Sequence, residues 1–352
     1  MSTVSAITVI AGTYANADVP KVVADIAPIH SLVSRVMDGV GEPKLIVPNE
    51  TSPHDYRLRP ADAEAIEDAS LVFWMGEGLT PWMERALEAL SNDTDIVEFL
   101  ALEETTLLSF REGALFEAHD HSDHDDHDDH DDHDDHDDHD DHDDHDDHDK
   151  DHDDHDDHDD HDDHDDHDDH DDHDDHAGHD HGEFDPHAWL STNNAKTWLN
   201  VIAARLSSLD PENAGTYFSN ANEARTEIDA LNEEVNKMLN PVRGGKFVVF
   251  HDAYQYFETV YDFPASGAIS LGDASDPSAA RIAQISARIK NENIACVLSE
   301  PQFNAGLVKT VMGGTDATTE VIDPLGFGIE PGSSLYPKLI RAMAQSLVNC
   351  LK

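Results

Sequence analysis

The sequence predicts an α/β protein of two lobes, each a mainly parallel sheet flanked by helices, joined by one long helix. Three observations carry this reading. From Val19 onward, short apolar runs alternate with longer helical ones, the pattern of βαβ units. A stretch from Pro211 to Leu239, without internal proline and with Gly215 as its one glycine, separates two such series. A run of His and Asp interrupts the first series; without it roughly 290 residues remain, more than one core of the commonest size.

Taken in order, "PKVVADI" reads as a strand and "IHSLVSRVMDG" as a helix stopped by Gly39 and Gly41. "PKLIVP" is a strand, "NETSPHDYRLRP" the loop after it, and "RPADAEAIEDA" a helix with acids in its early turns. "SLVFWMG" is a buried strand. "TPWMERALEAL" starts a helix with Thr80 as cap and Pro81 at the first helical position, and "TDIVEFL" closes the series. Beyond the His/Asp run, "DPHAWLSTNNAKTWLNVIAARLSSL" begins in a turn and becomes helical. Ile228, Leu231, Val235, Met238 and Leu239 recur at helical spacing in the long stretch that follows. At 1.5 Å per residue that helix spans roughly 40 Å, suited to a spine between two domains. The second series repeats the alternation: strands "GKFVVF", "ASGAISL", "IACVLSE" and "TEVIDP", with helices "DAYQYFETVYD", "DPSAARIAQISARIKNEN", "NAGLVKTVMGGT" and finally "LYPKLIRAMAQSLVNCL".

Charge is concentrated in one place. The window from His119 to His181 holds 22 of the 26 histidines, 37 aspartates and one lysine, and so carries −36 of the formal −56. The rest of the chain is acidic to an ordinary degree. Having no apolar residue to bury and strong self-repulsion, the H-D-D repeat is expected to be disordered, and its period of three fits neither helix nor strand. The acidic balance argues against nucleic acid, whose phosphates select Lys and Arg. No run approaches the roughly 20 apolar residues of a membrane span.

"VSAITVIAGTYANA" gives a short apolar run followed by Ala15-Asn16-Ala17, a small-residue cleavage site, so residues 1–18 are expected to be an export signal. No positive charge precedes Val4, and the alternative is a buried first strand over 4–12. The only cysteines are Cys296 and Cys350. In an exported protein they would pair, closing a 54-residue loop worth about 4 kcal/mol by chain entropy. The alternative is two unpaired core thiols.

Four histidines lie outside the repeat. His251 follows "FVVF" at the carboxyl end of a strand, His54 lies in the loop after "KLIVP", and His187 sits in the turn "FDPHAWLS". Open α/β sheets bind ligands beyond the carboxyl ends of their strands. Asp323 in "VIDPLG" ends a strand of the second series and could face the same cleft. Three imidazoles and one oxygen donor suit zinc. His30, beside Ile29 and Leu32 in a helical pattern, reads as packing or as a residue supporting the ligands from behind.

These pieces, "SPHDYRLRP", the histidine-rich insertion, "DPHAWLS", "FVVFHDAYQYF", "DPSAARI", "SEPQF" and "VIDPLG", together resemble the metal-binding solute receptors of bacterial ABC importers, in their zinc-binding branch. The resemblance covers Val19 to Lys352. It implies two α/β lobes joined by one long rigid helix, with metal in the cleft between them. By motif it implies His54, His187 and His251 as Zn2+ ligands. Where related receptors carry a glutamate before the first histidine, this chain has Pro53, which leaves water, Asp323 or a histidine of the repeat for the fourth position. Manganese receptors of this fold carry a carboxylate at the third position; His251 argues for zinc. The resemblance also implies the Cys296–Cys350 disulfide and periplasmic residence.

The expected organisation is therefore a signal over 1–18, an N-terminal lobe over 19–207 containing the His/Asp-rich loop 117–183, a linker helix over 208–243, and a C-terminal lobe over 244–352. The expected function is non-enzymatic: a monomeric high-affinity zinc receptor serving a membrane permease, with no nucleic acid and no direct membrane span. Within the loop, His119, His121, His124, His176, His179 and His181 are expected among accessory weak metal sites that collect or sense zinc. The competing readings are an extracytoplasmic zinc buffer, a manganese or nickel receptor of the same fold, and a zinc hydrolase. For the last, the chain has no HExxH and only Glu300 as a suggestive acid near a strand end.

Overall fold

A computed structural model describes residues 19–91, 94–111, 116, 184–270, 277–303 and 305–352. The expected export signal and the histidines named in the repeat, His119, His121, His124, His176, His179 and His181, lie outside the described residues.

Two four-stranded sheets, all their pairings parallel, organise the chain. The first has the order β2-β1-β3-β4, from β1 (Val22–Ala24), β2 (Lys44–Leu45), β3 (Leu71–Trp74) and β4 (Asp95–Glu98). The second has the order β6-β5-β7-β8, from β5 (Phe247–His251), β6 (Ala268–Ser270), β7 (Cys296–Ser299) and β8 (Thr318–Val321). Within its own series each sheet thus runs second, first, third, fourth. The direction of winding reverses between the first and third strands, and their carboxyl ends open a crevice there.

Helices α1 (Ala27–Val36), α2 (Pro60–Glu67) and α3 (Pro81–Leu90) belong to the first series. Helices α6 (Gln255–Tyr261), α7 (Ala279–Glu292) and α8 (Ala305–Val311) belong to the second. Between them stand α4 (Thr192–Leu209), capped by Ser191, whose side chain accepts from the Asn194 amide, and the long α5 (Ala214–Leu239). The expected start of α5 at Pro211 is instead one turn of 3-10 helix over Pro211–Asn213, and the α-helical run is 26 residues, about 39 Å. Thr80 also differs from expectation. It stands at the N-cap of α3, but its hydroxyl accepts from the Trp74 indole at 2.5 Å and makes no cap bond.

The last helix, α9 (Leu335–Leu351), leaves the second sheet and packs on α5 and α1 as well as on β8. The Tyr336 amide donates to Ser31 Oγ at 2.9 Å, and the Tyr336 hydroxyl to the Trp189 carbonyl at 2.9 Å. One apolar core therefore runs from the first sheet through α1, α4, α5 and α9 to Phe247, Val249 and Leu298 on one face of the second sheet. Strand alternation turns Val248, Phe250 and Val297 to the other face, where Ile285 and Ile289 of α7 and Val308 and Val311 of α8 cover them. Cys296 and Cys350 form a disulfide that fastens β7 to the far end of α9.

Candidate metal centre

His54, His187 and His251 come from three separate segments and line one cavity. Its volume is about 20 Å³, room for a single ion or a single water. The rest of its wall includes Pro53, Trp189, Phe303, Pro324 and Leu325, a mostly apolar lining around the imidazoles.

Each histidine is held by its own neighbours. His54 sits in the loop between β2 and α2. There the Trp82 indole of α3 donates to the Pro53 carbonyl at 2.8 Å, and Tyr56 packs its ring on Trp82 and donates to Asp62 at 2.6 Å. Burial, with Asp62 beside it, pushes the Tyr56 hydroxyl up to about 12. His187 ends the turn from Phe184, and Asp185 holds it twice: the His187 amide and its ring Nδ1 donate to Asp185 Oδ1 at 2.9 and 2.7 Å. His251 is the last residue of β5, and its Nδ1 donates to Oε1 of Glu300, just past β7, at 2.6 Å. A carboxylate can only accept, so in both rings the proton sits on Nδ1 and the lone pair on Nε2. This carboxylate–imidazole arrangement orients a metal-binding histidine and fixes its tautomer.

The ring centres of His54 and His187 are 5.8 Å apart, and those of His187 and His251 are 5.3 Å apart. Three imidazoles on one tetrahedral zinc at 2.0–2.1 Å would stand roughly 5 Å apart, centre to centre. Both spacings are near that value, with His187 the shared neighbour. Among the described residues, no three His, Cys, Asp or Glu side chains yet form a finished ion-holding cluster.

Asp323 stands outside the cavity wall. Its carboxylate accepts from the amides of Leu325 (3.0 Å) and Phe327 and lies 3.5 Å from Gln302 Nε2. Burial raises its pKa against these bonds. Two side chains on the side of the first sheet tether its loop. Asn49 Nδ2 donates to the carbonyls of Gly326 and Ile329 at 2.5 and 2.8 Å, and the Trp189 indole donates to that of Pro324 at 2.8 Å. Gly326 has φ +85°, a left-handed turn that favours glycine. His30 lies in α1, buried, with Nε2 donating to the Pro43 carbonyl at 3.1 Å, the packing role its pattern suggested.

A second group of charges was not anticipated. Arg111 reaches Asp252, the residue after His251, and Glu258 of α6 (Nη1 to Oε2, 2.7 Å). Burial raises the pKa of both acids, opposed by Arg111. Burial works against the Arg111 charge too, but its two carboxylates outweigh it and raise its pKa.

Residues 22–350 match the family model described as "Zinc-uptake complex component A periplasmic", ZnuA. The chain belongs to the ZnuA family. Proteins named "High-affinity zinc uptake system protein ZnuA" are similar along their length. That of Brucella abortus (strain 2308) is 47% identical over 330 residues, covering 94% of this chain and 91% of the relative. That of Paracoccus denitrificans is 44% identical over 338 residues, covering 96% and 93%. A crystal structure of a ZnuA superposes with a TM-score of 0.67 at 21% identity, covering 95% of this chain and 100% of the other. The Pseudomonas aeruginosa binding protein FpvC, solved in complex with Mn2+, gives 0.68 at 18%, covering 95% and 99%. At such identities the structures speak for the fold alone. ZnuA-type receptors are not a catalytic family, and no helix among the described residues of this member is long and apolar enough to cross a membrane.

Proposed function

We propose that this chain is the high-affinity zinc receptor of an ABC importer, capturing Zn2+ with His54, His187 and His251 and handing it to a membrane permease. The observation that carries the reading is the pair of carboxylate-backed imidazoles, His187 with Asp185 and His251 with Glu300, beside His54 at one ion-sized cavity. Neutral imidazoles in a largely apolar pocket suit zinc, whereas manganese prefers oxygen donors. The fold itself does not choose the metal, since FpvC shares it and was solved with Mn2+. A ZnuA deletion mutant solved with zinc bound supports a zinc site that does not need the whole chain. Capture would draw His54 onto the His187–His251 pair, with water in the fourth position and Asp323 as the alternative donor once its loop turns. The division into lobes at 19–207 and 244–352 about a linker of 208–243, the periplasmic location and the monomeric state belong to the same proposal.

The H-D-D repeat would collect zinc rather than hold it tightly. Ordering a chain around an ion costs about 1–2 kcal/mol per residue fixed, so its sites are weaker than a pre-formed one. Their number raises the local zinc concentration. The hydrolase reading is disfavoured because Glu300, the acid it would use as base, is engaged by the His251 ring. Calorimetric zinc titration of the full chain and of a chain lacking residues 119–181 tests the proposal. One tight equivalent should survive the deletion while several weak ones disappear. A shortened chain without tight binding would mean that the repeat supplies an essential ligand, and would overturn a site built from His54, His187 and His251 alone.

A further inference from the structure

His187 and His251 belong to segments with no shared backbone, yet a tight zinc site needs their nitrogens placed to a fraction of an ångström. A short segment ahead of the histidine-rich repeat connects them. Its backbone belongs to the His187 turn: Ser109 forms an antiparallel bridge with Phe184, and the Asp185 amide donates to the Leu108 carbonyl at 2.8 Å. Its side chain belongs to the His251 turn. Arg111 Nε lies 3.0 and 3.1 Å from the two Asp252 oxygens, Nη2 also donates to Asp252, and Nη1 and Nη2 donate to Glu258 at 2.7 and 3.0 Å. Three further bonds run across the same seam. The Tyr256 hydroxyl donates to the Asp185 carbonyl at 2.8 Å and accepts the Leu108 amide at 3.0 Å, and Gln255 donates to the Ser109 carbonyl at 3.0 Å.

The chemistry of this seam is more than packing requires. Asp252 and Glu258 have side chains only 4% and 5% exposed, and one guanidinium serves both. The fork of Arg can engage two carboxylates at fixed angles, which a lysine ammonium cannot. The ring of Phe116 lies 3.6 Å from the guanidinium carbon and covers its other side. Resting on the zinc reading above, we infer that Arg111 is a positioning residue for metal capture: with Tyr256 it clamps the His187 turn to the His251 turn at the separation that one ion can bridge. The clamp acts through Asp185 and Asp252, the residues two before one ligand and one after the other.

The test uses the full chain with Arg111→Lys and, because a buried acid pair without its fork could unfold the site, Tyr256→Phe, which keeps every charge. The tightest zinc equivalent is measured by chelator competition, and the d–d spectrum is recorded with one equivalent of Co2+. We expect a roughly 10–100-fold weaker tight site in Arg111→Lys, the range for loss of an outer-shell partner, and a smaller loss in Tyr256→Phe. The cobalt bands should shift in both, because ligand geometry changes. A folded variant with a lowered melting temperature but wild-type affinity and cobalt spectrum would make the seam merely structural and overturn the inference. Should Arg111→Lys not fold, Tyr256→Phe alone decides on the same criteria. Tight zinc binding that survives His187→Ala and His251→Ala would instead refute the cleft itself, a result distinct from failure of the clamp.

Discussion

The two sheets share one strand order and differ in what they place where the winding reverses. In the first sheet Asp25, directly after β1, accepts from the Met75 amide, directly after β3, at 2.7 Å and from the Ile26 amide at 2.7 Å. In the second, His251 at the end of β5 donates to Glu300, directly after β7. The positions correspond and the chemistry does not. Asp25 spends its carboxylate on backbone amides, sewing the crevice shut, and is fully buried. The His251–Glu300 pair instead joins two side chains and sets the imidazole in the wall of a cavity. A topological crevice is thus only an opportunity, and the side chains at the strand ends decide whether it binds anything.

His251→Ala should break the comparison most completely, making the second crevice as unable to bind as the first. Zinc titration should show the tightest event abolished with the fold retained, and His54→Ala and His187→Ala should do the same. Undiminished tight binding in all three would dismiss the site. Glu300→Gln comes next. It keeps the shape but gives the His251 ring a neutral partner, and competition titration should show about a 10–100-fold weaker zinc site.

The remaining two changes should move stability more than zinc. Only the second sheet is stapled, through Cys296 at the start of β7. Reduction should lower stability by about 4 kcal/mol from the 54-residue loop, seen as a lower melting temperature, with less effect on zinc than Glu300→Gln. Asp25→Asn should leave zinc affinity unchanged and alter pH dependence instead. Burial, against the Met75 and Ile26 amides, pushes Asp25 up to about 7. The folded protein therefore keeps a proton that the unfolded chain releases near pH 4, so this group costs stability as pH rises from about 4 to 7. The cost, on the order of a few kcal/mol, is fully present above that window and absent below it. Denaturant melts should show a shallower decline across it in Asp25→Asn, and an unchanged slope would place the titration elsewhere.

Much of this was legible in the sequence because local rules dominate. Each expected strand and helix outside the undescribed segments formed, since apolar runs and their punctuation act within a few residues. The three histidines could be singled out because strand ends and turns announce themselves, as with His251 after "FVVF". Asp185 could have been read from its spacing, two residues before His187, where an Asx-type bond to the amide is favoured. Arg111 could not, because its partners lie 141 and 147 residues away and no periodicity links them. The Asn49 bonds to Gly326 and Ile329, across 277 and 280 residues, were hidden for the same reason. Thr80 shows the opposite failure, a strong local signal overridden by a neighbouring indole.

The course of α9 bears on how the protein is made. Ser31 meets Tyr336 across 305 residues, so the buried face of α1 waits for a helix synthesised almost a whole chain later. The first sheet can pair as soon as β4 emerges, but its covering helix stays half dressed until residues 335–351 arrive. During that interval the part of α1 that α9 covers lies open to aggregation or to a chaperone. A premature stop or a clip before Leu335 would therefore damage the beginning of the molecule as much as its end.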